Sequence, residues 1–250
     1  MQLYLIRHGQ SINNANWDRK DEPDYERYSD PPLTELGVRQ AQSLARFIAS
    51  TRSSSEQAQN VGEYRHSINI THLYSSLMIR AIQTGSIISE TLGLPLVALP
   101  VVHEVGGVYL KTRINGETEI SFEHGVSPAC LRENFPALQL QQPIPERGWW
   151  QGGQEQVTEL LDRAQRAIEF LEERHLGTND KVAIVTHGGL FNYLVRTMFS
   201  IRLDEHDNRN LPFWFSFCNC AISRFDFVDE RVTLIYHNRT DFMSDDLVSC

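Results

Sequence analysis

Leu3-Tyr4-Leu5-Ile6-Arg7-His8-Gly9 sets four apolar residues in a row before a guanidinium, an imidazole and a glycine. A run with no polar face predicts a short strand buried on both sides and stopped by Gly9. A second such run, Val182-Ala183-Ile184-Val185, leads into Thr186-His187-Gly188-Gly189. Ile68–Tyr74 and Leu96–Val102 predict two more strands, and Ala221–Val228 with Val232–Tyr236 a closing hairpin across Asp229-Glu230. Helical periodicity fills the intervals. One helix opens at Thr34, with Ala41, Leu44, Ala45, Phe47 and Ile48 on a single face. Leu77–Leu92 ends at Gly93, Gln154–Leu176 carries Leu160, Ala164, Ile168 and Leu171 on one stripe, and Gly188–Phe199 follows the second His-Gly pair. Alternating strands and helices predict an α/β fold: a three-layer sandwich with a mostly parallel central sheet flanked by helices. The 250 residues suit one domain, spanning 1–250.

The remaining segments lack a period. Gln10–Pro32 reads as a long loop, and Asp18–Asp30, with six acids against three bases, as a solvated face. Thr51–Gln59 reads as another loop. The glycine- and proline-rich stretch from Glu104 to Gly153 reads as an irregular insertion with one short helix, and 105–150 is expected to lie over the active site and cover the substrate. The last ten residues, with three acids and no base, predict a frayed tail. The net charge of −9 argues against nucleic acid and anionic membranes as partners. No apolar run approaches the ~20 residues that span a bilayer. The four cysteines show no disulfide or zinc spacing, so a reducing, cytoplasmic setting is expected.

In α/β sheets, ligands bind beyond the carboxyl ends of the strands. There the sequence sets Arg7-His8-Gly9, Ser75-Ser76 leading to Arg80, His103-Glu104, and Thr186-His187-Gly188. Two guanidiniums and an imidazole gather charge and bidentate donors suited to phosphate. A histidine can also be a nucleophile, and fixed cations supply the charge that phosphoryl transfer needs. No metal and no cofactor is expected, since no H-x-x-x-H or acid cluster accompanies the histidines and the arginines would repel a cation.

These residues, taken in order, resemble the histidine phosphatase superfamily, the phosphoglycerate-mutase-like enzymes. Arg7-His8-Gly9 with Ser11 and Asn14 is similar to its R-H-G-x-S-x-x-N signature. Asp30, Leu33-Thr34, Gly37 and Gln40-Ala41 resemble D-x-x-L-T-x-x-G-x-x-Q-A. Ser76, Arg80-Ala81 and Gln83-Thr84 resemble S-P-L-x-R-A-x-Q-T, with Leu77 where many members have proline. Glu104-Val105-Gly106, Thr186-His187-Gly188-Gly189 and Asn219–Arg224 resemble the acid segment, the second histidine motif and a closing strand. The resemblance implies that His8 attacks phosphorus and that Arg7, Arg80 and His187 hold the phosphoryl oxygens. Ser11, Asn14 and the Gly188 amide would complete the substrate site, and Glu104 would protonate the leaving group. His8 must attack as the neutral ring, so activity is expected to fall as acid protonates it.

The expected activity is hydrolysis of a small soluble phosphate monoester through phosphohistidine. The alternatives are phosphoglycerate mutase-type transfer, or a phospho-ligand-binding module without turnover. Residues 105–150 match nothing in the longer sequence of glycolytic mutases. Other groups read as structural or surface features. His103 is a rim or packing residue, and His66, His72, His124, His175, His206 and His237 match no motif. Trp149-Trp150 read as packing, Lys111, Arg113, Arg132 and Arg147 as surface charges, and Cys218 and Cys220 as small residues sharing one face of a strand.

Overall fold

The computed structural model describes residues 1–17, 27–52, 68–114, 117–201, 213–229 and 231–250. The core is a seven-stranded sheet in the order β6-β3-β2-β7-β1-β8-β9. Its strands are β1 (Gln2–Arg7), β2 (His72–Ser75), β3 (Leu96–Ala98), β6 (Leu138–Gln139), β7 (Lys181–Thr186), β8 (Ile222–Val228) and β9 (Arg231–Arg239). The five strands from β6 to β1 are parallel, and β8 and β9 return antiparallel as a hairpin. Asp229 takes a left-handed φ of 53° just after β8.

Alternate residues of the strands feed two cores. Tyr4, Ile6, Leu73, Ala183 and Val185 face α2 (Glu35–Arg52) and α3 (Ile79–Leu92) through Leu44, Ile48, Ala81 and Ile88. Leu3, Leu5, Tyr74, Val182 and Ile184 face α5 (Val157–His175) and α6 (Gly188–Met198) through Ala164, Ile168, Leu190 and Leu194. Each such leucine or isoleucine, withdrawn from water, stabilises the fold by about 1.5–3 kcal/mol. Burial on both faces is why the central strands read as unbroken apolar runs. Helix ends follow their local chemistry: Thr34 Oγ1 accepts the Gly37 amide proton at the start of α2, and Gly93, at φ 66°, closes α3.

Five expectations change. The run Leu96–Val102 is not one strand: β3 stops at Ala98 and Pro100–Val102 forms a 3-10 turn, because proline at 100 has no amide to give a ladder. The loop after β1 contains a one-turn helix α1 (Ile12–Ala15), held by Ser11 and Asn14 in a reciprocal cap. The insertion is more ordered than its composition suggests. It holds the antiparallel pair β4 (Tyr109–Ile114) and β5 (Glu117–Phe122), then α4 (Pro128–Asn134), then β6, which joins the sheet edge beside β3. The C-terminal segment is docked, not frayed. Met243 is buried, Gln40 Nε2 donates to the Leu247 carbonyl at 2.7 Å, and Cys250 is bonded to Cys218. Cys218 and Cys220 therefore do not share a strand face: both precede β8, and Cys220 has φ 57°. Most of the expected loop at 51–59, and residues 18–26 of the acidic stretch, lie outside the described residues.

Candidate active site

β1 and β7 pair in parallel with Leu3 opposite Val182 and Arg7 opposite Thr186. That register brings the residues after each strand together. The His8 amide donates to the Thr186 carbonyl at 3.0 Å, and the His8 and His187 rings lie 5.0 Å apart. Both imidazoles are buried.

The tautomer of His8 follows from its neighbours. Nδ1 lies 2.7 Å from the Gly9 carbonyl, which can only accept, so Nδ1 carries the ring proton. Nε2 is left with its lone pair, which accepts from Arg80 Nε–H at 3.1 Å. Burial pushes the His8 pKa well below the ordinary imidazole value, and the charges of Arg80 and Arg7 push the same way. His8 is thus a neutral imidazole with its reactive nitrogen in contact with an arginine. At His187, Nε2 lies 2.9 Å from Ser76 Oγ, which also accepts the Met78 amide proton. The serine's own proton is then available to Nε2, so Nδ1–H is the free donor, and it is buried with no partner among the described residues. Burial, then Arg80 and His8, hold His187 well below the usual range as well.

Arg7 donates from Nη1 to the Phe217 carbonyl, and its buried Nε has no partner among the described residues. Arg80 stands at the start of α3, with Nη1 3.5 Å from Asp30 Oδ1. Asp30 also accepts the Ile79 amide proton at 3.1 Å, so it caps α3 from a distant part of the chain. Its other oxygen is buried and unpartnered among the described residues. Burial raises the Asp30 pKa to about 6, against the pull of Arg80 and the amide.

Glu104 sits at the amino end of α6. Its carboxylate accepts the amide protons of Leu190 at 3.0 Å and Gly189 at 3.2 Å, and that of Val105 at 2.9 Å. The Gly188 amide is not part of that cap. A side chain at Gly189 would place its Cβ 2.5 Å from Glu104 Oε1. The acid loop is pinned from behind. Arg163 grips Glu155 with two bonds of 2.7 and 2.8 Å and donates to the His103 carbonyl, while Glu155 accepts the Gly106 amide proton. His103 is accordingly a packing residue between Trp149 and Trp150.

His8, Arg7, Arg80, His187, Glu104 and Gly188 thus lie together on one rim. Ser11 is buried under the α1 cap, bonding Asn14 and facing no open space. Asn14 gives Oδ1 to that cap, while its Nδ2 bonds none of the described residues. Asn219 is a supporting residue that the sequence did not single out for the site: its Nδ2 donates to the His8 carbonyl at 3.0 Å. Among the described residues, His72, His175 and Asp180 offer possible metal-ligand atoms within 4.8 Å of one another. They lie at the amino ends of β2 and β7, away from His8. His175 is already joined to Asp180 at 2.9 Å and to the Tyr74 hydroxyl at 3.1 Å.

A mostly parallel α/β sheet with two histidines and two arginines at its carboxyl rim is a framework suited to phosphoryl transfer. The family model for the histidine phosphatase superfamily (branch 1) matches residues 3–56 and 51–240, and the chain belongs to that superfamily. Curated relatives include proteins named probable phosphoglycerate mutase GpmB from Yersinia pestis (strain Pestoides F) and Yersinia pseudotuberculosis (serotype O:1b, strain IP 31758). Each is 29% identical over 227 residues, covering 91% of this chain and 85% of theirs. Among solved structures, an ecdysone phosphate phosphatase from Bombix mori with tungstate superposes at TM-score 0.59 and 16% identity, covering 95% of this chain and 92% of that one. A phosphoserine phosphatase mutant from Entamoeba histolytica with phosphoserine gives TM-score 0.54 at 17% identity, covering 97% and 99%. These likenesses show the shared fold. No helix among the described residues is long and apolar enough to cross a membrane.

Proposed function

We propose that the chain hydrolyses a small phosphate monoester in two steps through His8. The observation that carries this is the state of His8: a buried neutral ring, its Nδ1–H tied to Gly9 and its Nε2 lone pair held by Arg80. When a substrate phosphoryl group enters, one of its oxygens takes over Arg80 Nε–H and frees the lone pair. Nε2 then bonds phosphorus as the ester P–O bond breaks, and the leaving oxygen receives a proton from Glu104. Arg7 Nε, Arg80, His187 Nδ1–H, the Gly188 amide and Asn14 Nδ2 hold the equatorial oxygens, where charge accumulates. Water, giving its proton back to Glu104, next attacks phosphorus, and the P–N bond breaks to release phosphate. Residues 105–150 supply the wall over this rim, within a single domain spanning 1–250.

A second reading is favoured by the relatives named as probable mutases: the same phosphohistidine would pass its phosphoryl group to another hydroxyl. Hydrolysis is preferred because residues 105–150 do not resemble the longer segment characteristic of glycolytic mutases. A cytoplasmic location goes with small phosphorylated metabolites as substrates, and Cys130 and Cys220 are free thiols. The Cys218–Cys250 bond points the other way, so the thiol count of freshly isolated protein is the check on location. The enzymatic test is phosphate release from an aryl phosphate and a panel of metabolite esters. Wild type should release phosphate, and His8→Ala should lose at least about a thousandfold in kcat/KM, as for removal of a nucleophile acting with its catalytic partners. Equal rates for the two proteins would sink the mechanism, and isomerised phosphoglycerate without net phosphate release would favour transfer.

A further inference from the structure

Arg27 has a chemistry that phosphate hydrolysis alone does not use. Its guanidinium carbon lies 4.5 Å over the centre of the Tyr109 ring. Its Nε is buried without a partner, and it makes no hydrogen bond or ion pair with any described residue. Of the carboxylates near it along the chain, Asp24 and Glu26 lie outside the described residues, and Asp30 is turned to Arg80. Tyr109, the first residue of β4, packs its ring edge over Gly106, two residues past Glu104. Arg27 and Tyr109 are both close enough to Arg80 for their charges to act on it. The pair therefore stands beside the loop that carries Glu104, the group assigned to the leaving oxygen, and within electrostatic reach of the arginine that touches His8.

A half-buried guanidinium beside a second buried arginine is repelled unless an anion sits between or near them. Arg7, Arg80 and His187 already surround the position of the phosphoryl group. The tyrosine face holds the guanidinium by a cation–π contact, and Nε stays buried with no partner among the described residues. A single planar fork matches a carboxylate bidentately, whereas a second phosphate dianion would call for several cations, like those around His8.

We infer that Arg27, backed by Tyr109, forms a subsite for a carboxylate on the alcohol portion of the substrate, so the preferred esters are phosphorylated hydroxy- or amino-acids. This rests on the hydrolase reading above and names its substrate class. Arg27 is a specificity residue here, and the hairpin β4–β5 takes part in selection by presenting Tyr109.

The test compares phosphoserine with phosphoethanolamine, which differ only by the carboxylate. Wild type should favour phosphoserine at least tenfold in kcat/KM, Arg27→Gln should bring the ratio close to one, and Arg27→Lys should restore part of it. The same pair is titrated calorimetrically into His8→Ala, with and without Arg27→Gln, so the subsite is tested even if no ester is turned over. There, phosphoserine should bind at least tenfold more tightly than phosphoethanolamine only while Arg27 is present. His8-dependent hydrolysis of an aryl phosphate tests the catalytic reading separately. A wild-type ratio near one, or an equal loss on both esters in Arg27→Gln, overturns the subsite. An Arg27-dependent preference for fructose 1,6-bisphosphate over both esters overturns the carboxylate assignment.

Discussion

His8 and Asp30 are buried on opposite sides of Arg80, and burial moves their proton affinities in opposite directions. The imidazole is pushed well below its usual range, while the carboxyl is raised to about 6. His8 therefore stays neutral to lower pH than a free imidazole, and the loss of activity expected from its protonation moves to lower pH. The group that changes charge near pH 6 is Asp30, whose carboxylate steadies Arg80 from Nη1 while Arg80 Nε faces His8. The sign is direct. Above about pH 6 Asp30 is charged and the pair holds; below it the carboxyl is neutral and Arg80 loses its partner. For stability the effect reverses: a carboxyl raised above its unfolded value costs stability at neutral pH, and that cost is relieved as pH falls through 6 towards 4. Asp30→Asn should lower kcat/KM at pH 7.5 by about tenfold to a hundredfold, the range expected for losing a charge-assisted bond. It should also flatten the acid limb between pH 5 and about 7, measured on one aryl phosphate for both proteins so that the ester's own titration cancels. An unchanged acid limb in the variant would assign that limb to another group.

At the scale of elements, α6 joins the second histidine to the acid. Its first residues are Gly188 and Gly189, and only a residue without Cβ lets the Glu104 carboxylate reach the Gly189 and Leu190 amides. Gly189→Ala should swing the end of the Glu104 side chain away, because that end moves more easily than the helix backbone. The melting temperature should change little, while slow alkyl esters, which depend on a proton for their leaving oxygen, should lose at least about tenfold in kcat/KM relative to p-nitrophenyl phosphate. Equal losses on both substrates would place the effect elsewhere than on the acid. The glycine pair was legible in the sequence, since it follows a buried strand and a histidine, and so was each residue that stands directly after a strand. What was not legible depends on contacts between distant segments. Arg27 and Asp30 lie within a stretch whose acids read as a solvated face, although Asp30 is buried against a helix nearly fifty residues later. The pairing of Tyr109–Ile114 with Glu117–Phe122 could have been read, because Asn115-Gly116 between two β-prone runs is a hairpin signal. The richness of its surroundings in glycine and proline obscured it.

Across the whole molecule, the two ends of the chain meet at the nucleophile. Arg7 and His8 follow the first strand, and the carboxyl terminus returns to the same place through Asn219. The Asn219 amide donates to the Ser249 carbonyl at 2.8 Å, Ser249 Oγ donates to Asn219 Oδ1, and Asn219 Nδ2 donates to the His8 carbonyl. Gln40, on α2, holds the same serine from the other side at 2.8 Å. A segment with acids and no base near its end reads as solvated because charge is visible in sequence, whereas a buried methionine, a serine bridge and a cysteine partner 32 residues away are not. The bond between Cys218 and Cys250 closes that 32-residue loop, and loop closure of this length is worth about 3–4 kcal/mol in the unfolded-chain model. For a chain of this size that corresponds to a fall of roughly 6–15 °C in melting temperature. Cys250→Ser and reductant-treated wild type should therefore melt at the same lowered temperature, and reductant should do nothing further to the variant. Both should also lose part of kcat, because Ser249 then holds Asn219, and through it the His8 backbone, less firmly. A wild-type protein whose melting temperature and kcat ignore reductant would show that the tail is held by Gln40, Asn219 and Met243 alone, and that the thiols contribute nothing to the site.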